Sequence, residues 1–369
     1  GTIRARGSRT ALAALFVSLV GLPSLESDAE LSSEIGALRE TGRVLVSLSA
    51  FSEVELEEPD YDLRLEGYNQ LPSLISASSA RVALPILCQC VHDVELDDIA
   101  LKHSASHTIA LIVKHAAAQP AEAGFEQLLT RVLMPALRRG LRLPADKDGL
   151  RQELIRLLGA TLLLYPSLQP EMSTLLSPAE PEADFYSNMT HVQMPRRQRA
   201  LARLRQRVEA GSLSSATMSG YLVPMLRHLV LRESVKEMDV AEEAVHTLRA
   251  VATRLPWRPY LSTLQAFAHL LKKQPQLEKR LIRALVVMLE VFHFELTTPE
   301  LEAAVELAGQ SKAFSSSRSG TLAAHTIAFG KGGGSMLEAT PEVKDAAEVA
   351  MDGAAVAPGT ESALEGGEG

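Results

Sequence analysis

The chain is 369 residues long, 46% hydrophobic and only 4% aromatic. That is enough apolar material for two ordinary domains or one extended array, and the scarcity of aromatics beside abundant Leu and Ala favours helices packed on helices over a sheet sandwich. A formal charge of −8 excludes a uniformly basic protein, but residues 315–369 hold eight acidic and three basic side chains and leave residues 1–314 at about −3, so a local basic face is not excluded.

In chain order, Arg4, Arg6 and Arg9 precede the apolar run Ala11 to Leu22, which imitates a secretory signal. The chain opens on Gly1 and no convincing small-residue cleavage site follows, so the segment is expected to be a buried helix of a truncated chain. No apolar run reaches the roughly 18 residues that cross a bilayer, and no membrane contact is expected. Helical patterns follow near residues 30–50, 72–92, 123–140, 213–231, 259–273, 276–292 and 299–313. The acidic, turn-prone stretch Val54 to Tyr68 reads as a loop. Cys88 and Cys90, the only cysteines, define no disulfide framework and fit a reducing compartment.

A proline-centred unit recurs: Val82 to Leu87, Val132 to Leu137 and Tyr221 to Leu226 each set a proline inside an apolar helical pattern, where it kinks or restarts the helix. A second helical pattern follows each, near Asp98, Gly149 and Asp239. Gly149 to Pro166 overlays Asp239 to Pro256 without gaps, matching Leu150, Leu154, Ile155, Leu158 and Thr161 to Val240, Ala244, Val245, Leu248 and Val251. The offset of 90 residues is close to two periods of a HEAT unit, for which about 40–47 residues is expected. The expected fold is all-α, a degenerate HEAT-like α-solenoid. Beyond about Ser315 the composition turns to Ser, Gly, Ala, Glu and Pro, too little apolar surface to offset ordering entropy, and 315–369 is expected to be a disordered tail.

Function concentrates where an acidic-aromatic stretch, Glu182 to Pro195, feeds six arginines between Arg196 and Arg207. On a helix, Arg196, Arg199, Arg203 and Arg207 share a stripe roughly 80° wide, while Leu201, Leu204 and Val208 form an apolar face. Guanidinium forks on one face suit an RNA backbone or an acidic protein surface; the plainer alternative is a solvated face paired with Glu209 and Asp184. Phe185, Tyr186, Asn188, His191 and Gln193 either stack on and hydrogen-bond to unpaired bases or anchor the segment to its neighbour. Trp257 reads as an interface anchor, and Glu290, Phe292, His293 and Phe294 as the closing of a helix end. His103 and His107 lie one turn apart with Cys88, Cys90, His92 and His115 nearby in sequence, but nothing completes four ligands, and no metal is expected. Gly330 to Ser335 lacks the spacing of a phosphate-binding loop, and there is no nucleophile elbow or framed carboxylate pair. No enzyme activity, cofactor or small-molecule substrate is expected.

The run Glu182 to Leu204 (EADFYSNMTHVQMPRRQRALARL), with Leu222-Val223-Pro224, Leu255-Pro256-Trp257, Tyr260 and Val287 to Phe294 in the same order, resembles the DRIM-like nucleolar HEAT-repeat family of the small-subunit processome. The resemblance covers about residues 181–295; elsewhere the chain shows only generic helical-repeat character. Such proteins usually carry two phenylalanines after the Asp and a His before the paired Arg, where this chain has Phe185-Tyr186 and Pro195. The matching residues are Asp184, Phe185, Asn188, His191, Gln193, Arg196, Arg197, Arg199, Ala200 and Leu201. The resemblance implies a non-catalytic scaffold in the nucleus and nucleolus, associated with pre-ribosomal RNA and small-subunit assembly factors. Arg196, Arg197, Arg199, Arg203 and Arg207 form the candidate RNA or partner contact, with Asp184, Phe185, Asn188, His191, Gln193 and Trp257 as anchors. The expected organisation is a helical-repeat segment over 1–176, a joint over 177–195, a second helical-repeat segment over 196–314 and the tail. The competing reading is a generic HEAT-repeat adaptor for proteins, with no RNA role.

Overall fold

The computed structural model describes residues 6–28, 31–52, 58–119, 123–143 and 147–295. The expected helix at 299–313 and the tail at 315–369 lie outside the described residues. The described residues form one compact unit, and the segment 177–195 is packed within it: its buried apolar side chains, Phe185, Tyr186 and Met189, belong to an apolar core that runs from Val44 to Met288. Among the described residues the fold is all-α, relieved only by an isolated bridge between Phe51 and Pro59.

The helices are α1 (Arg6–Val20), α2 (Ile35–Leu48), α3 (Tyr61–Ser76), α4 (Ala80–Asp93), α5 (Ile99–Ala118), α6 (Ala123–Leu128), α7 (Met134–Gly140), α8 (Asp148–Leu164), α9 (Pro170–Ser173), α10 (Phe185–Met189), α11 (Met194–Glu209), α12 (Ser215–Thr217), α13 (Val223–Val230), α14 (Met238–Ala252), α15 (Trp257–Lys273) and α16 (Glu278–Glu290). Packing runs from neighbour to neighbour along the chain. α1 lies on α2, α2 on α3, α3 and α4 on α5, α5 and α7 on α8, α8 on α10, α10 on α11, α11 and α13 on α14, and α14 and α15 on α16. The ten positions matched between Gly149 to Pro166 and Asp239 to Pro256 are all buried, as the shared 3.6-residue period requires.

Helix starts are written locally. Asp60, Ser79, Asp98, Asp184 and Ser214 each accept a backbone N–H three residues on, from Leu63, Val82, Leu101, Ser187 and Thr217; each such cap is worth about 1 kcal/mol. The Asp60 cap corrects the reading of Val54 to Tyr68 as a loop. From Tyr61 on the chain is helical, because the same acidic residues that suggest a turn supply the cap, and Arg64 and Tyr68 are buried on the face toward the core. Residues 53–57 lie outside the described residues.

Two of the three proline units share one device. A π-helical turn at Leu129–Leu133 precedes Pro135, with the Met134 N–H donating to the Leu129 carbonyl; another at Met218–Leu222 precedes Pro224, with the Val223 N–H donating to the Met218 carbonyl. The widened turn accommodates a residue that has no N–H to give to its i−4 carbonyl. Pro85 instead sits inside a continuous α4.

The apolar run at the start is a helix, but it is not the fully buried one expected. Ala13 and Val20 are covered, while Leu12, Leu15 and Leu19 of the helix, and Leu22 just after it, remain 46–54% exposed.

Two glycines of α8 differ in their surroundings. A Cβ at Gly159 would sit 2.7 Å from Cβ and Cγ of Tyr186 on α10, whereas a Cβ at Gly149 meets nothing within 4 Å. Gly159→Ala is therefore expected to destabilise the protein by about 1–3 kcal/mol through overpacking, despite its better helix propensity. Gly149→Ala should be neutral or stabilising by up to ~1 kcal/mol. Urea denaturation of both variants checks the sign.

Candidate functional site

The segment before the arginine helix is built as an anchor. Asp184 caps α10 with one carboxylate oxygen, accepting from the Ser187 N–H at 2.7 Å, and accepts from the Ser177 N–H with the other at 3.1 Å. Phe185 and Tyr186 are buried and meet edge to face, with ring centroids 5.4 Å apart. The Tyr186 hydroxyl donates to the Met172 carbonyl at 2.9 Å, and burial pushes its ionisation far up. The Asn188 amide donates to the carbonyls of Pro181 and Asp184. Tyr186 and Asn188 are hydrogen-bonded inside the fold, and Phe185 and Tyr186 are 4% and 3% exposed, so neither ring stands free on the surface. His191 closes the entry to α11: its Nδ1 accepts the Gln193 N–H at 3.0 Å, and its carbonyl accepts from Arg197 Nε at 2.7 Å. Gln193 occupies the N-cap position without a side-chain cap bond.

Pro195 falls in the first turn of α11, where a missing N–H costs nothing. Gly211, at φ 78°, ends the helix, with the Gly211 and Ser212 N–H groups returning to the carbonyls of Val208 and Arg207. Ala200, Leu201, Leu204 and Val208 are buried and fix which side faces inward.

The structure divides the arginines. Arg199, Arg203 and Arg207 are exposed and lie in register over about 12 Å of helix. Among the described residues, Arg199 and Arg207 make no ion pair. Arg203 donates to the main-chain carbonyl of Glu182, whose carboxylate pairs with Arg196 at 3.3 Å. Glu209 pairs with Arg205, which also reaches Glu243, and Asp184 is committed to backbone, so neither neutralises the stripe as the plainer alternative supposed. Arg197 leaves the set of surface contacts. It is 7% exposed and bonded to Glu237 at 3.0 Å, because a residue two positions from Arg199 points to the opposite side of a helix.

Arg197 opens a relay of alternating charge. Glu237 also pairs with Arg232 at 2.6 Å, Arg232 with Asp148 at 2.9 Å, and Asp148 with His228 Nε2 at 2.8 Å. Arg151, 2% exposed, brings Nη1 to the same His228 Nε2 at 2.8 Å. That nitrogen faces an acceptor and a donor at once, so either tautomer satisfies only one of them. Burial, helped by the charge of Arg151, lowers the His228 ionisation below its ordinary value. Burial alone would raise the Asp148 carboxyl, but the His228 bond and the Arg232 charge outweigh it and hold it well below the carboxylate range. A cavity of about 20 Å³ beside these groups has room for one water. The relay ties the start of α8, the end of α13, the entry to α14 and α11 together.

Trp257 is half-buried in an aromatic cluster, stacked on Tyr260 with centroids 6.4 Å apart and met by Phe292 and Phe294. The Tyr260 hydroxyl donates to the Met288 carbonyl at 2.7 Å, so the cluster joins α15 to the end of α16. The histidine and cysteine set disperses. His115 bonds the Ser78 carbonyl, His92 bonds Asp93, Cys90 is buried, and His103 and His107 line an open groove with Glu153 and Arg156 between α5 and α8. Among the described residues no group of three such side chains is placed to hold a metal ion, and no described helix is long and apolar enough to cross a membrane. Sequence reading missed Glu182 and the relay. The local signals for the latter were Asp148 and Arg151, three residues apart at a helix start, and Arg232 and Glu237, five apart before α14.

Among the described residues this arrangement is an all-helical surface that presents guanidinium groups. A family model described as U3 small nucleolar RNA-associated protein 20, N-terminal, matches residues 1–145, a region where the residues alone show only generic helical character. The chain is also similar to the U3 small nucleolar RNA-associated protein 20 of Saccharomyces cerevisiae, 27% identical over 269 residues, which covers 71% of this chain and 11% of that protein. The protein of the same name from Schizosaccharomyces pombe is 24% identical over 246 residues, covering 65% of this chain and 10% of that protein. The chain thus spans about a tenth of the length of these relatives.

The relay makes a pH prediction. His228 has a folded pKa below its ordinary 6.5, so the unfolded state binds the proton first and stability falls as pH drops through the window beneath 6.5. A His228→Gln variant should lose less stability between about pH 7.5 and pH 5.5 than the parent. Equal losses in urea titrations at the two pH values would remove His228 as the sensing group.

Proposed function

We propose that this chain is part of a non-catalytic, HEAT-like α-solenoid scaffold that acts in the nucleolus, in ribosome biogenesis and the processing of ribosomal RNA within the small-subunit processome. The similarity to U3 small nucleolar RNA-associated proteins supports the setting. The DRIM-like run over residues 181–295, the neighbour-to-neighbour packing and the equivalence of α8 with α14 support the repeat architecture. In this reading the stacked helices offer an extended surface to assembly factors, and α11 contacts pre-ribosomal RNA.

The observation that carries the RNA contact is the row Arg199, Arg203 and Arg207, exposed on one side of a helix whose inward side is locked by Leu201, Leu204 and Arg197. Arginines so held grip phosphates bidentately and position a backbone without reading its sequence. The acidic total charge does not oppose this, because association depends on the local field.

The test is binding of the full chain to a structured fragment of pre-ribosomal RNA across a salt series, beside a variant with Arg199, Arg203 and Arg207 changed to Gln. The parent should weaken steeply with salt, and the triple variant should bind more weakly with a slope shallower by up to about three charges' worth. Equal binding by both proteins, or none, would put the protein adaptor reading first.

A further inference from the structure

We infer that the groove beside the arginine row seats a single unpaired nucleobase, so that this surface selects single-stranded over duplex RNA; the inference rests on the RNA reading above. Between the turn after α9 and the outer side of α11 lies a cavity of about 320 Å³. Its floor is apolar, made by the buried Leu175, Phe185 and Leu204. Its rim is polar, with Ser177 on the turn and Arg203, Gln206 and Arg207 on the helix.

The cavity is large enough to admit one planar ring system, whereas a docked amphipathic helix needs a longer trough for anchors at successive turns. The chemistry of the rim fits the same guest. The Glu182 carbonyl holds the Arg203 guanidinium in the wall, where its plane offers a stacking face to a base. The Gln206 amide and Ser177 hydroxyl bring donors and acceptors to the base edge. Arg199 and Arg207 flank Arg203 by one turn each, about 6 Å along the axis, a step close to one nucleotide of extended backbone. With the base seated, they meet the phosphates on either side of it. A duplex cannot use the groove, because its bases are stacked and paired, and an A-form major groove is too deep and narrow for side chains to read.

The experiment compares binding of the full chain to oligouridine and to a blunt RNA duplex with the same number of phosphates, at one salt concentration. Thr174 and Ala183 also line the groove, and Thr174→Trp and, separately, Ala183→Trp fill it while leaving every arginine in place. The parent should prefer oligouridine by about tenfold, and each tryptophan variant should lose that preference with duplex binding and thermal melting unchanged. Equal affinity of the parent for both RNAs, or a preference that survives both substitutions, overturns the nucleobase seat and leaves the phosphate reading standing. Absence of salt-sensitive binding to either RNA overturns both readings. Tighter binding of an acidic amphipathic peptide, competed by neither RNA and lost in the tryptophan variants, assigns the groove to a protein instead.

Discussion

The relay from Arg197 through Glu237, Arg232 and Asp148 to His228 is the interaction on which the rest of the candidate surface depends. Charges taken from water are expensive, and a buried pair often contributes little net stability. Removing one member of such a pair, however, costs about 3–5 kcal/mol because its partner is left uncompensated. The relay therefore acts chiefly as a placement device: its ion pairs span α8, α13, the entry to α14 and α11, and they form only while those elements keep this placement. Since Arg197 belongs to α11, that arrangement also decides where Arg199, Arg203 and Arg207 emerge.

A second constraint acts from the other side. The Asp184 cap, the Tyr186 bond to Met172 and the close approach of Tyr186 to Gly159 hold the segment before α11 against α8. Glu182, carried by that segment, then reaches two arginines at once, by its carboxylate to Arg196 and by its carbonyl to Arg203. Side chains as long as arginine lose considerable freedom when they bind. Arg203 has given up part of that freedom before any ligand arrives.

Much of this was legible in the residues, for reasons that are local. The burial pattern of α8 and α14 follows from apolar spacing, and the start of α5 from Asp98. The burial of Phe185 and Tyr186 is in keeping with one of the two readings that their residue types left open. What stayed hidden is of two kinds. Asp60 has the chemistry of both a turn and a cap, and only the burial of Arg64 and Tyr68 decides between them. The partition of the arginines depends on groups far along the chain: Arg197 finds Glu237 40 residues away, and His228 finds Asp148 across 80. Periodicity marks a helix face as charged, but it does not say that one of those charges is drawn inward by a carboxylate on another helix. The same blindness affected α1, whose leucines read as core although one side of the helix has no cover among the described residues.

The π turns ahead of Pro135 and Pro224 bear on how chains of this kind diverge. A widened turn holds one residue more than a regular one, so it behaves as a single-residue insertion absorbed in the middle of a helix. Apolar positions before and after it are out of phase by about 100°, and a continuous periodic pattern breaks into two shorter ones. Any relative that gains or loses such a turn would call for an alignment gap inside a helix, where gaps are ordinarily penalised most. Helices built this way can keep their packing while the periodic pattern that marks them drains out of the sequence.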